Sequence, residues 1–375
     1  MKNPRFRSRL SVTAGMLAAT LLLAACGDDD PMPAPGEDVS VDTPPPTPPG
    51  SVEVPPPAAT SDMQAVLDAL AALGPQPIET LTPDVARQQP SFADAYKTVL
   101  QQRGIPATTD AVTTEDRPYG SDPLQFVRIY RPAAAEGPLP VVVYYHGGGW
   151  VIANVDTYDA TPRYLAEALN AIVISVEYRK APEFKFPAQH RDASLAYAWT
   201  LNNAASLGGD LDRLALVGES AGGNLAVATA ILARDENLPE PDHVVAIYPI
   251  ANTSMDLPSR TDSANAKPLN TAALDWFANY YQNYPENAED PRINLVAADL
   301  EDLPTTTIVN AQIDPLRSDG ETLAAAMQAA GVDVEQRTFA GVTHEFFGMG
   351  KVVPTALEAE QYVVARIQAS FDEVE

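Results

Sequence analysis

The sequence predicts an α/β fold: a mostly parallel central sheet flanked by helices, with its unusual residues at the carboxyl ends of strands. Three observations lead there. Val141–Tyr145, Ile172–Val176, Leu214–Val217, Val244–Tyr248 and Thr307–Asn310 are continuous apolar or β-branched runs, as strands buried on both faces require. Helical stretches near 158–170, 188–203, 221–234 and 319–330 alternate with them. Two glycine-rich segments begin where strand runs end, at residues 146 and 218.

The remaining elements follow from local signals. Ser61-Asp62 predicts the cap of a helix through Leu73, stopped by Gly74-Pro75, and a second helix is expected from Ser91 to Gln102, stopped by Gly104. Leu124–Tyr130 alternates and predicts an edge antiparallel strand, and Val334–Phe339 predicts a late strand before the last helix.

Ahead of this domain the chain reads differently. Residues 1–10 are basic and residues 10–25 apolar or small, the layout of a secretory signal. About 16 apolar residues are too few for the roughly 20 that span a bilayer. Leu23-Ala24-Ala25-Cys26 resembles the lipobox of bacterial lipoproteins, which implies that Cys26, the one cysteine in the chain, becomes the lipidated first residue. Gly27 follows it rather than an acid, which by the same analogy points to an outer-membrane or periplasmic-side location. Residues 31–57 hold eleven prolines and predict a semi-rigid extended spacer. The expected organisation is a signal at 1–25, a tether at 26–60 and one catalytic domain at 61–375.

Charge excludes more than it identifies. Fifty acidic residues against 24 basic ones give a net charge of −26, and loss of Lys2, Arg5, Arg7 and Arg9 with the signal would leave about −30. Such a surface repels phosphate backbones, so no nucleic-acid partner is expected.

Leu214–Val217 runs directly into Gly218-Glu219-Ser220-Ala221-Gly222, followed by a small-residue helix. This is G-x-S-x-G in a strand-to-helix turn, where glycines without Cβ atoms allow a sharp bend that projects a serine nucleophile. The helix N-terminus behind it favours developing negative charge. His146-Gly147-Gly148-Gly149-Trp150 follows Val141–Tyr145 and predicts a loop whose N–H groups face a ligand.

These two segments together resemble the hormone-sensitive-lipase-like esterases, a branch of the α/β-hydrolases. The resemblance extends over residues 61–375 and includes Glu177-Tyr178-Arg179-Lys180-Ala181-Pro182-Glu183. Lys180 stands where that family has leucine, and Glu219 where aspartate is commoner. The resemblance implies an oxyanion hole from the N–H groups of Gly148, Gly149 and Ala221. It also implies a helical cap, here about 61–103 and 252–290, and short- to medium-chain acyl esters as substrates.

A serine nucleophile needs a base and an orienting acid. Of four histidines, His146 is expected to brace the glycine loop, while His190 and His243 lie in a predicted helix and strand. His344, in the late segment Gly341–Gly348, remains as the base, and its position after Asp314 gives the order serine, acid, histidine. Asp314 also matches the family's aspartate-proline-leucine motif. Asp319 and Glu321 are nearby rivals expected at a helix start.

Leu274–Tyr284 carries an aromatic stripe consistent either with helix packing or with an acyl pocket. An amidase or arylformamidase, and a non-catalytic hydrolase-like binder, are the competing readings. No dinucleotide fingerprint or metal-ligand cluster occurs, so no cofactor or metal is expected.

Overall fold

A computed structural model of the chain describes residues 57–282, 287 and 289–373. The signal segment, Cys26 and nearly all of the proline-rich tether lie outside the described residues, as does Tyr284 of the aromatic stripe.

Eight strands form one sheet: β1 (Val112–Pro118), β2 (Phe126–Pro132), β3 (Leu139–Tyr145), β4 (Ile172–Glu177), β5 (Gly209–Glu219), β6 (His243–Ile247), β7 (Thr305–Ile313) and β8 (Val334–Thr343). Their spatial order is β1-β2-β4-β3-β5-β6-β7-β8. β2 runs antiparallel to both neighbours, and every pairing from β4 to β8 is parallel. The helices are α1 (Ser61–Leu73), α2 (Pro83–Ala86), α3 (Phe92–Gln102), α4 (Ala160–Ala168) and α5 (Ala188–Asn203), then α6 (Ala221–Asp235), α7 (Pro258–Asp262), α8 (Thr271–Tyr281), α9 (Arg317–Ala329) and α10 (Pro354–Asp372).

The continuous apolar runs are explained by two cores, one on each face of the sheet. Val141, Val143, Ile172, Ile174, Leu214 and Leu216 pack with Ala196 and Tyr197 of α5, Leu225 of α6 and Leu323 of α9. The alternate residues Val142, Tyr144, Val173, Ala215 and Val217 pack with Met63 of α1, Phe92 of α3, Leu165 of α4 and Ile367 of α10. Successive strand side chains point to opposite faces, so a strand covered on both must be apolar throughout. Each fully buried Val, Leu or Ile contributes about 1.5–3 kcal/mol.

Two local expectations are corrected. The alternating run at Leu124–Tyr130 was expected at the sheet edge, but β2 lies one strand in, with β1 outside it. β1 reads Val-Thr-Thr-Glu-Asp-Arg-Pro and is exposed everywhere except Val112, so it carries no apolar period to reveal it. Its charges and terminal proline are edge-strand features that discourage pairing with another chain. The cap of α1 is Thr60 rather than Ser61 or Asp62: the Thr60 hydroxyl accepts from the Met63 N–H at 3.3 Å. α1 does stop at Gly74, in left-handed conformation at φ 71°, and α3 starts at Ser91 with a reciprocal capping box to Asp94.

Among the described residues no helix is long and apolar enough to cross a membrane.

Candidate active site

β5 ends at Glu219 and α6 begins at Ala221, so Ser220 alone makes the turn, at φ 57° and ψ −119°. A positive φ is costly for a residue with a Cβ and persists only where the surroundings enforce it. Here the Ser220 N–H donates to the Ile247 carbonyl at the end of β6 at 2.8 Å. The glycines are required by contact: a Cβ on Gly218 would run into the Gly222 carbonyl, and one on Gly222 into the Tyr145 carbonyl. The second contact seats the start of α6 against the end of β3, where the glycine loop begins.

Two further strand ends supply the partners. Asp314 follows β7, and its Oδ1 accepts the Leu316 N–H at 2.8 Å, which fixes the carboxylate in its turn. His344 follows β8, with Nδ1 2.7 Å from Asp314 Oδ2 and Nε2 3.0 Å from Ser220 Oγ. In the neutral ring this is Nδ1–H donating to the carboxylate and Nε2 accepting from the hydroxyl. Relative exposures of 5%, 0% and 4% for Ser220, Asp314 and His344 keep the chain of contacts out of bulk water. Burial opposes a charged His344, but Asp314, with Glu345 and Glu219, outweighs it, so the imidazole pKa is raised above its ordinary value.

After β3, Gly148 and Gly149 sit at φ 95° and 57° and Trp150 at φ 60°. A Cβ on Gly148 would strike the Ile152 carbonyl, and one on Gly149 would enter the ring of Phe277 from α8. Among the described residues none accepts a hydrogen bond from the N–H of Gly148, Gly149 or Ala221. All three residues border Ser220 in sequence or line the same cavity with it. His146 braces this loop as expected: its Nδ1 lies 2.7 Å from the Gly147 carbonyl and its ring stacks on Tyr178 at 4.3 Å. Burial and nearby Lys180 push its pKa down to about 3.

The rival groups lie elsewhere. Asp319 is buried against Arg260 at 2.8 Å and accepts the N–H groups of Ala251 and Asn252 at 3.1 Å each. Glu321 pairs with Arg317 at 3.4 Å on the outside of α9. His190 bonds Asn224 and His243 bonds Ser370 and Thr307, all within the core.

Two acids beside the site, Glu219 and Glu345, have no role readable from the sequence. Glu219 is held between the Tyr144 hydroxyl at 2.6 Å and the Tyr248 hydroxyl, and burial pushes its pKa up to about 7. Glu345, at φ 64°, accepts from the Tyr158 hydroxyl at 3.1 Å and is likewise raised by burial. Their adjacency to Ser220 and His344 was visible; their burial depends on tyrosines far away in the chain.

Ser220, His344, Gly148 and Gly149 open into one cavity of about 1130 Å³. Its walls include Leu67 and Leu70 of α1, Leu274 and Phe277 of α8, and Ile250 and Leu316 from the loops after β6 and β7. The aromatic stripe therefore divides. Phe277 faces the cavity, whereas Trp276 donates to the Leu81 carbonyl at 2.8 Å and Tyr281 stacks on Trp150 at 4.1 Å. Among the described residues no cluster of three or more His, Cys, Asp or Glu is arranged to hold a metal ion.

Comparison with known proteins agrees with this architecture. A family model described as alpha/beta hydrolase fold matches residues 142–348. Carboxylesterase NlhH of Mycobacterium tuberculosis is 39% identical over 265 residues, covering 69% of this chain and 83% of that protein. Ethyl acetate hydrolase of Pseudomonas putida is 33% identical over 296 residues, covering 78% and 92%. The solved structure of a hyperthermophilic esterase from Pyrobaculum calidifontis is 33% identical, with a TM-score of 0.75 over 85% of this chain and all of that one. The chain belongs to the alpha/beta hydrolase family and is a carboxylic ester hydrolase.

Proposed function

We propose that the ester is cleaved through a Ser220–His344–Asp314 triad and an acyl-enzyme intermediate. The observation that carries this reading is the single imidazole within hydrogen-bond reach of both a strained serine and a buried carboxylate. His344 Nε2 takes the Ser220 proton as Oγ attacks the ester carbonyl. The resulting imidazolium is stabilised by Asp314, and the oxyanion receives the N–H groups of Gly148, Gly149 and Ala221. His344 then returns the proton to the departing alcohol. Water, deprotonated by the same ring, releases the acid and restores Ser220.

The substrates are short- to medium-chain acyl esters, held in a cavity whose apolar walls come from α1 and α8. Its volume, about 1130 Å³, lies just above the ~300–1,000 Å³ of ordinary small-molecule sites, room for acyl and alcohol arms together. The test is an acyl-length series of p-nitrophenyl esters, run on the wild type and on Ser220→Ala, with a serine-directed phosphonate as label. Turnover by Ser220→Ala, or phosphonate on another residue, overturns the triad. A maximum beyond medium chains overturns the substrate class.

The protein is further proposed to be exported and anchored to a bacterial membrane, on the outer-membrane or periplasmic side, through lipid on Cys26. The support is the basic and apolar segment ending in Leu23-Ala24-Ala25-Cys26, followed by the proline-rich spacer. Full-length protein should enter the detergent phase on phase partition and Cys26→Ala should not. Equal partition of the two removes the anchor.

A further inference from the structure

The chain enters the catalytic domain at its active site. Pro57 and Ala59 line the same cavity as Ser220 and His344. The Thr60 N–H donates at 2.8 Å to the carbonyl of Gly341, three residues before His344. Gly341 is in left-handed conformation at φ 67°, and a Cβ there would lie 2.7 Å from Thr60 Cγ2. The N–H of Gly341 is held in turn by Gln312 Oε1 at 2.9 Å, two residues before Asp314. One turn further along α1, Met63 is fully buried, and its Sδ lies 3.8 Å from the hydroxyl of Thr343, the neighbour of His344.

Gly341 is thus tied on both sides, to the acid-bearing strand through its N–H and to the incoming chain through its carbonyl. We propose that Thr60 is a positioning residue of the catalytic site, its backbone N–H fixing the segment that aims His344 at Ser220. The proposal rests on the triad reading above. It also makes the junction between tether and catalytic domain part of the catalytic machinery: the residues that begin the domain hold the base in place.

Thr60 lies at φ −61°, which proline adopts without strain. Thr60→Ala removes the hydroxyl and Cγ2, and Thr60→Pro removes these and the N–H while closing its own ring, so their ratio reads chiefly the N–H. With p-nitrophenyl butyrate, kcat of Thr60→Pro should be roughly five- to twentyfold below that of Thr60→Ala, with KM alike in the two, as expected of a small misplacement of a catalytic group. Equal kcat values, or a difference confined to KM, overturn the proposal.

A double-mutant cycle covers the case in which the proline variant does not fold. Gly341→Ala should lower kcat, and Thr60→Ser/Gly341→Ala, which lacks the colliding Cγ2, should recover part of that loss. Strictly additive effects on kcat overturn the coupling. His344→Ala separates the two levels: if it still turns over, the triad reading fails. If it is dead while Thr60→Pro equals Thr60→Ala, only the positioning role fails.

Discussion

Two strand-end loops, after β3 and after β8, each carry a buried histidine, and they use it in opposite ways. His344 has a carboxylate at 2.7 Å, and its pKa is raised despite burial. His146 has a backbone carbonyl at 2.7 Å and Lys180 nearby, and its pKa falls to about 3. The Nε2 of His146 lies 3.7 Å from Glu177, too far for a hydrogen bond, and Glu177 is itself paired with Lys180. One ring sits where a proton is stabilised, as the proposed base requires, and the other stays neutral as a brace. The lesson is that burial alone does not decide what a histidine does; the charge next to it does.

The comparison breaks most directly at His344. Replacing it with alanine should cost on the order of 10⁴-fold in kcat or more, measured with a soluble p-nitrophenyl ester. Asp314→Asn should be nearly as severe, on the order of 10⁴-fold, because the tautomer of His344 is no longer fixed. The wild-type pH profile should rise through a limb above the ~6.5 of an ordinary imidazole, since the base must be neutral and its pKa is raised. In Asp314→Asn that limb should move to lower pH, because the charge raising it is gone; an unmoved limb would contradict the assignment.

On the other loop the expected effects are smaller. Gly149→Ala should cost roughly 10²–10³-fold in kcat by displacing a proposed oxyanion donor, with its Cβ forced into Phe277. His146→Asn, which keeps a polar group near the Gly147 carbonyl, should cost under about tenfold, within the range of an indirect loop effect. It should leave the pH limb in place. A pH limb that follows His146 rather than His344 would reverse the comparison.

The smallest effect concerns stability around the His344 loop. Glu360 of α10 is buried, accepts the Gly350 N–H at 2.8 Å, and has a pKa pushed up to about 7 by burial. A folded-state pKa raised above the unfolded value gives stability that is complete at low pH and lost as pH rises through about 7. Glu360→Gln should therefore gain melting temperature relative to wild type at pH 8, by about 2–4 °C, and little at pH 5. A uniform shift at both pH values would contradict this.

What was legible in the sequence depended on how local its cause is. The elbow at Ser220 and the loop at Gly148 and Gly149 announce themselves because only glycine tolerates the contacts there. Strands β3 to β7 show as apolar runs because both faces are buried along their paired stretches, whereas β8, at the other sheet edge, alternates buried and exposed residues. β1 is exposed on both sides and has no such signature. Asp314 and His344 could be chosen by elimination and order, but not the burial of Glu219 by Tyr144 and Tyr248, which lie 75 and 29 residues away. The aromatic stripe of α8 could not be divided between packing and cavity for the same reason: Phe277 meets a glycine from a loop 128 residues earlier.

That last contact limits how far the enzyme can be altered piecemeal. The ring of Phe277 occupies the space a side chain at Gly149 would need, so α8 and the glycine loop are complementary halves of one mould. Enlarging or shrinking the residue at 277 to admit a different acyl group also changes what holds position 149. On the proposed reading selectivity and rate are therefore coupled, and a substitution at 277 should move both.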